Sequence, residues 1–241
     1  MKKITFTALT DRTLKLEPNP TPASMHSPAW YKKTPKYESA NGGSQSIVEF
    51  LKIDNFHMTF KMCQPFTDAL VSGYMITLPA KIVVTQTLNS EGVFSPNIRW
   101  NTNWDIVDAQ SPFVASKLPK PEGYSSNLFR WISNWKIETP LGYSALFMHP
   151  IYRYDLPFHT LTGFVDTDKN PNPLLLPFFV KENFEGEIPL GTPIAQVFPI
   201  KRDSWESNIS QNILDPYGPM RVKQTFQRAY KKLYWSKKSY K

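Results

Sequence analysis

The chain has 241 residues, 41% hydrophobic and 14% aromatic, with 28 Lys+Arg against 20 Asp+Glu and a net charge of +8. That supplies apolar material for one large packed domain or two small ones and excludes a disordered chain, apart from the stretch Asn41-Gly42-Gly43-Ser44. No run of about eighteen apolar residues occurs, which excludes a membrane-spanning helix.

Met1-Lys2-Lys3 is followed by Thr5, Thr7 and Thr10 and not by a long apolar stretch, so no secretory leader is expected. Residues 3–9 alternate Ile4, Phe6 and Ala8 with Thr5 and Thr7, predicting a strand. The segment 17–35 carries Pro18, Pro20, Pro22, Pro28 and Pro35, which fix extended conformations and remove backbone donors. It reads as an extended arm, with Ala29-Trp30-Tyr31-Lys32-Lys33 as a short helical turn anchoring an aromatic pair; a peptide-recognition motif is the alternative.

Beyond the arm, prolines punctuate short runs of Ile, Val, Phe, Tyr and Thr, the pattern of a mainly β chain. Strands are predicted at 46–51, 74–78, 81–87, 97–100, 128–138, 143–148, 161–165, 175–180 and 193–200, with a turn or two of helix at 65–71. Cys63 is the single cysteine; it has no internal disulfide partner and is expected as a buried structural thiol. Trp100 and Trp104, and again Trp131 and Trp135, stand four residues apart behind Arg99 and Arg130. Each pair reads either as an exposed aromatic surface for sugars, bases or a partner, or as a brace between two sheet layers.

After Asp215-Pro216-Tyr217-Gly218-Pro219 the period changes. Val222, Phe226, Ala229, Tyr230, Leu233 and Tyr234 recur at helical spacing, predicting an amphipathic helix over 220–235 with Pro219 at its start. The final twenty-one residues hold eight cations and no acid, so the rest of the chain is neutral. Arg221, Arg228, Lys231, Lys232, Lys237 and Lys238 are the candidate polyanion- or partner-binding residues. Alternatively the apolar stripe docks the helix on protein, which is the favoured reading because that stripe is continuous. The expected divisions are an N-terminal strand and Pro-rich arm over 1–45, a core over 46–205, and a linker with the basic helix over 206–241.

Four segments carry a resemblance to a known superfamily. They are Gly73-Tyr74-Met75, then Thr139-Pro140-Leu141-Gly142-Tyr143 leading to Met148-His149-Pro150, then Gly163-Phe164-Val165-Asp166-Thr167-Asp168, and finally Gly191-Thr192-Pro193-Ile194-Ala195-Gln196-Val197. In that order they resemble the motifs of the trimeric dUTPase and dCTP-deaminase superfamily, over about half the chain. The resemblance implies a β-clip-like core, with Asp166 in the place of the carboxylate that activates water and Asp168 matching the second carboxylate. It departs from the pattern elsewhere. Lys169 stands where a tyrosine packs on deoxyribose, and His149-Pro150-Ile151 replaces a Pro-Arg-Ser motif, with Arg153 as the nearest arginine. Met75 replaces an aspartate, and no glycine follows Gly218 where a phosphate-binding tail belongs. Too few groups remain to hold a triphosphate and its metal.

Pro28-Ala29-Trp30-Tyr31-Lys32-Lys33, Asp68-Ala69-Leu70-Val71-Ser72-Gly73-Tyr74, Thr139-Pro140-Leu141-Gly142-Tyr143-Ser144 and the basic aromatic terminus are similar to a family of tailed-phage and bacterial proteins that has no assigned activity. This resemblance implies a phage origin.

Asp166 and Asp168 are thus the candidate catalytic carboxylates, facing one site only if the chain turns at them; the other reading is turn carboxylates that cap backbone N–H groups. His149 and His159 lack a trusted metal spacing, and no metal site is expected. The expected function is a non-catalytic, phage-encoded binding protein: an oligomeric virion structural or assembly component, located in the virion or host cytoplasm. Its partners would be copies of itself or other virion proteins, or nucleic acid through the C-terminal helix. The alternatives are a nucleotide-binding or nucleotide-hydrolysing enzyme that requires Mg²⁺, and a protein that engages a host factor. No cofactor is expected outside the nucleotide alternative.

Overall fold

The computed structural model describes residues 2–39, 56–88, 92, 94–212 and 229–241. The predicted strand at 46–51, the stretch 41–44, and Arg221, Val222, Phe226 and Arg228 of the predicted terminal helix lie outside these residues.

In chain order the elements begin with β1 (Thr5–Ala8), α1 (Asp11–Leu16), β2 (Thr21–Pro22), α2 (Ala29–Lys33), β3 (Tyr37–Ser39), β4 (Phe56–Met58), α3 (Gln64–Val71) and β5 (Tyr74–Thr77). Next come β6 (Ile82–Leu88), β7 (Phe94–Trp100), β8 (Val107–Ala109), α4 (Pro112–Ala115), β9 (Tyr124–Ile132) and β10 (Trp135–Glu138). The last are β11 (Tyr143–Met148), β12 (Phe158–Thr160), β13 (Gly163–Val165), β14 (Leu175–Lys181), β15 (Gly186–Ile188), β16 (Pro193–Lys201) and α5 (Ala229–Leu233). The chain is mainly β, and the helices among the described residues are short.

Two compact units emerge, one made of Met1–His26 with Gly73–Arg202 and the other of Ser27–Ser72 with Asp203–Lys241. The division expected from sequence ran in chain order, whereas compactness joins segments that are far apart in the chain.

In the larger unit, strands pair antiparallel in the orders β13-β11-β16-β5-β2, β12-β14-β9-β8, β15-β6-β7 and β1-β10. Burial alternates along them as a half-covered sheet requires: in β11, Ala145 and Phe147 are buried while Leu146 and Met148 are half-buried. The inward faces meet in one core around Trp131, whose ring stacks on Phe178 at 3.6 Å between centroids, with Phe158 edge-on to Trp131 at 5.0 Å.

The single strand predicted at 128–138 is two strands in different sheets. The ladder breaks at Ser133-Asn134, where the Ser133 hydroxyl donates to the Trp135 carbonyl (3.1 Å) and the Ser133 N–H turns to Leu174 O (3.1 Å). Local side-chain bonding of this kind competes with the ladder. The freed Asn134 carbonyl then accepts from Leu9 N, and β10 continues as the partner of β1.

Gly73 opens β5 with φ of 77°, and a Cβ placed there would lie 2.3 Å from the Val197 carbonyl oxygen. Close backbone approach and positive φ both demand glycine at this point.

The smaller unit is organised by rings. Trp30 of α2 lies 5.7 Å from Phe60 and 6.5 Å from Phe66 of α3, and Phe60 and Phe66 are 4.9 Å apart. The predicted helical turn at 29–33 is therefore present, with its aromatic residue seated against α3. Cys63 is exposed, contrary to expectation. It occupies the junction before α3, where its backbone N–H donates to Phe60 O and its carbonyl accepts from Thr67 N, while the thiol is left outside.

Candidate functional site

The chain does turn after β13. Lys169 N and Asn170 N both donate to the Asp166 carbonyl at 2.9 Å, which places the side chains of Asp166 and Asp168 together and turns Thr167 inward. Thr167 is buried, 2.7 Å from the Thr139 hydroxyl. The two carboxylates do not surround an open position: Arg202, at the end of β16, fills the space between them. Its Nη1 lies 2.9 Å from Asp168 Oδ1 and 3.0 Å from Asp166 Oδ1, and its Nη2 pairs with Asp168 Oδ2. The same guanidinium donates to Tyr143 O and Ser144 Oγ, each at 3.0 Å. Gly142 N donates to Asp168 Oδ2 (2.9 Å), and the Ser144 hydroxyl donates to Asp166 Oδ1 (2.7 Å).

The chemistry follows from this pairing. The Asp168 side chain is 1% exposed, and the Arg202 hydrogen bonds, helped by Gly142 N, hold its carboxyl down at about 2. The Ser144 hydroxyl, with Arg202, also holds Asp166 below the usual carboxylate range. A carboxylate stabilised as an anion is a poorer proton acceptor, so Asp166 is poorly placed to activate water. The cluster ties β11, the turn after β13 and the end of β16 into a knot. Capping of backbone by turn carboxylates, one of the two readings open from sequence, describes Asp168 with Gly142.

Arg202 was not foreseen. The signal lay in the strand pairing: Tyr143 is opposite Lys201, so the next pair brings Arg202 beside Gly142. Arg153, the arginine the sequence suggested instead, is committed to a different loop, where its Nε bonds Asp155 at 2.9 Å.

The other motif positions pack. Met75, Ile194, Ala195 and Val197 are buried, and the fully buried Gln196 accepts from Ile151 N at 3.0 Å.

His149 and His159 do come together, with ring centroids 4.6 Å apart and nearly parallel planes. Thr160 N donates to His149 Nδ1 (3.3 Å), so the proton sits on Nε2, which donates to Arg153 O (3.0 Å). Burial pushes His149 down to about 4, and burial also lowers His159. Among the described residues no group of three or more His, Cys, Asp or Glu is arranged to hold a metal ion.

The tryptophans correct the exposed aromatic surface. Trp131 and Trp135 are buried, and Trp100 and Trp104 are half-buried against the same core. Trp131 donates to Thr160 Oγ1 (3.1 Å), Trp100 donates to Trp104 O (2.9 Å), and the Arg12 guanidinium covers the Trp104 ring at 4.3 Å. They brace layers. A cavity of about 470 Å³ beside β6 and β7 is lined by Lys81, Val83, Thr85, Arg99 and Trp100, and by neither candidate carboxylate.

At the C-terminus, the described helix is Ala229–Leu233, shorter than the predicted 220–235 over the residues that can be compared. Asp68 of α3 accepts from Trp235 Nε1 and Lys238 Nζ, both at 2.7 Å, and from Gln64 Nε2 at 2.8 Å. Burial pushes the Asp68 carboxyl up, but those hydrogen bonds outweigh it and hold the group below its ordinary value. Of the stripe expected to dock, Val222 and Phe226 lie outside the described residues, while Tyr230, Leu233 and Tyr234 are exposed; the described part of the segment is fastened by Trp235 and Lys238. Lys231 and Lys238 lie over the Trp235 ring at 5.2 and 5.9 Å, while Lys232 and Lys237 are exposed. Among the described residues no helix is long and apolar enough to cross a membrane.

No family model matches the chain, and no curated protein matches it significantly by sequence.

Proposed function

We propose that this is a phage-encoded, non-catalytic binding protein, a structural or assembly component of the virion whose partners are copies of itself or other virion proteins. The observation that carries the non-catalytic part is the neutralisation of Asp166 and Asp168 by Arg202, Ser144 and Gly142 N. A hydrolase whose general base is a carboxylate needs that group free to take a proton, with positioning groups around it. Here the groups around the carboxylates are donors that already occupy it. The phage assignment rests on the resemblance of the segments at 28–33, 68–74 and 139–144.

The finer fold belongs to the same proposal: a β-clip-like core with an extended N-terminal Pro-rich arm. Its support is that the resembling segments at 139–150, 163–168 and 191–197 contribute β11, β13 and β16, which are neighbours in one sheet.

Two measurements test the proposal. Turnover of dUTP and dCTP with Mg²⁺ is expected to be absent; turnover that Asp166→Asn abolishes overturns the non-catalytic reading in favour of the nucleotide enzyme. Mass spectrometry of purified particles is expected to find the protein at stoichiometric levels. Its absence there overturns the assembly role and leaves the host-factor alternative.

A further inference from the structure

Three consecutive residues of α3 fasten two segments from opposite ends of the chain. Phe66 meets Trp30 of α2, and Thr67 Oγ1 lies 3.1 Å from the Tyr31 hydroxyl. Asp68, the next residue, holds Trp235 and Lys238. Lys61 closes the end of α2 by donating to Lys32 O (3.2 Å) and Thr34 O (2.9 Å). The exposed Lys32, Lys33 and Lys36 therefore belong to the same small unit as the exposed Lys231, Lys232 and Lys237, with one helix as their common support.

Charge is distributed unevenly between the units. Segments 27–72 and 203–241 hold 13 Lys+Arg against 7 Asp+Glu, whereas the larger unit holds 15 against 13. At least eight cations of the larger unit face a carboxylate within 3.5 Å. In the smaller unit Asp68 takes Lys238, while Lys32, Lys33, Lys36, Lys232 and Lys237 face no carboxylate among the described residues. Cations left unneutralised on one unit form a site for a polyanion. Exposed Tyr230 belongs to the same segment and offers a face on which a base stacks. A lipid surface fits less well, because the lysines come from two segments instead of one amphipathic face.

We infer that the smaller unit binds a single nucleic-acid strand across α2 and the C-terminal segment. The lysines of both segments take phosphates, and Tyr230 stacks a base. Asp68 is a positioning residue that keeps the C-terminal segment beside α3. This site is independent of the virion assignment.

The experiment is fluorescence anisotropy of a labelled 20-mer of dT with the full chain, titrated over a range of salt. Each phosphate contact on a single strand contributes a log–log salt slope of about −0.7, so six lysines give about −4. Lys32→Gln/Lys33→Gln/Lys36→Gln should flatten the slope by about 2, and so should Lys231→Gln/Lys232→Gln/Lys237→Gln. Between 50 and 200 mM salt the wild type should lose roughly 300-fold in affinity and each triple variant roughly twentyfold. Melting curves matching wild type establish that these exposed substitutions leave the fold intact. Asp68→Ala separates positioning from charge: loss of an anion alone raises affinity, whereas release of the C-terminal segment lowers it, which is the expected result. An α2 triple variant that binds like wild type overturns the two-segment site. Wild-type binding to phosphatidylserine vesicles but not to the oligonucleotide overturns the ligand class. Protein found in particles yet inert toward the oligonucleotide overturns this inference alone; oligonucleotide binding by protein absent from particles overturns the assembly reading alone.

Discussion

Thr160 is fully buried at the centre of the larger unit, and its hydroxyl serves two groups at once. It donates to Ile194 O at 2.6 Å and accepts from Trp131 Nε1 at 3.1 Å. Ile194 sits where the β16–β5 register slips between Pro193 and Ala195, so its carbonyl lies at an irregularity in the ladder, where a side-chain donor is needed. Thr160→Val keeps the shape and removes both bonds. Each buried polar group left unpaired costs about 1–3 kcal/mol, and the added apolar burial offsets about 1 kcal/mol. The net loss should be about 1–5 kcal/mol, centred near 3, or roughly 2–20 °C in Tm for a chain of this size. Thr160→Ser keeps the hydroxyl and removes one methyl, a loss of about 1 kcal/mol. Thermal unfolding followed by circular dichroism should therefore rank the Ser variant above the Val variant, against the order that hydrophobicity alone dictates. A Val variant as stable as wild type, or more stable than Ser, refutes the assignment of that hydroxyl as a structural bridge.

The other predictions concern the histidine pair, the glycine and the knot. His149 is neutral when folded, with its pKa at about 4, but protonates near 6.5 in the unfolded chain, so the unfolded state binds more protons between those values. Its contribution, up to about 3 kcal/mol, is present above pH 6.5 and is lost as pH falls toward 4, so denaturant titrations of His149→Asn should show a shallower acid loss than wild type. Burial sets this shift, the charges of His159 and Arg153 add to it, and the hydrogen bond to Arg153 O and the Asp155 charge oppose it; an unchanged acid slope refutes the prediction. Gly73→Ala forces a Cβ against the Val197 carbonyl at positive φ and should cost at least about 2 kcal/mol in chemical denaturation. Arg202→Met leaves Asp168 buried without its cation and should lower Tm more than Asp166→Asn does, because the Asp166 side chain is 57% exposed. Equal melting temperatures for those two variants would show that the ion pairs do not hold the knot.

What could be read from the sequence was local. Residues 143–148 form β11 as predicted because Pro140 and Gly142 turn the chain into it and Pro150 follows it; 175–180 and 193–200 likewise lie within β14 and β16. The strands that escaped, β2, β3, β4, β8, β12 and β15, are two or three residues long and exist through the partners that pair with them, which no window of sequence displays. The break at Ser133 escaped because both halves of 128–138 alternate correctly, and only the destination sheets differ. In the candidate site, Asp166 and Asp168 were visible as a pair, but their neutralising partner comes from a strand end 34 residues beyond Asp168. The apolar stripe of the C-terminal helix was real as a pattern. Its docking was decided by Asp68, an acid in the first half of the chain with nothing in its local sequence to mark it.

The passage of the chain between units orders its own manufacture. The chain leaves the larger unit after residue 26, re-enters it at 73 and leaves for good after 202. Synthesis runs from the N-terminus, and domains fold as they emerge. The larger unit therefore has every strand it needs while Asp68 still waits for Trp235, 167 residues downstream. The smaller unit is completed only once Trp235 and Lys238 have been made, so it closes after the larger one.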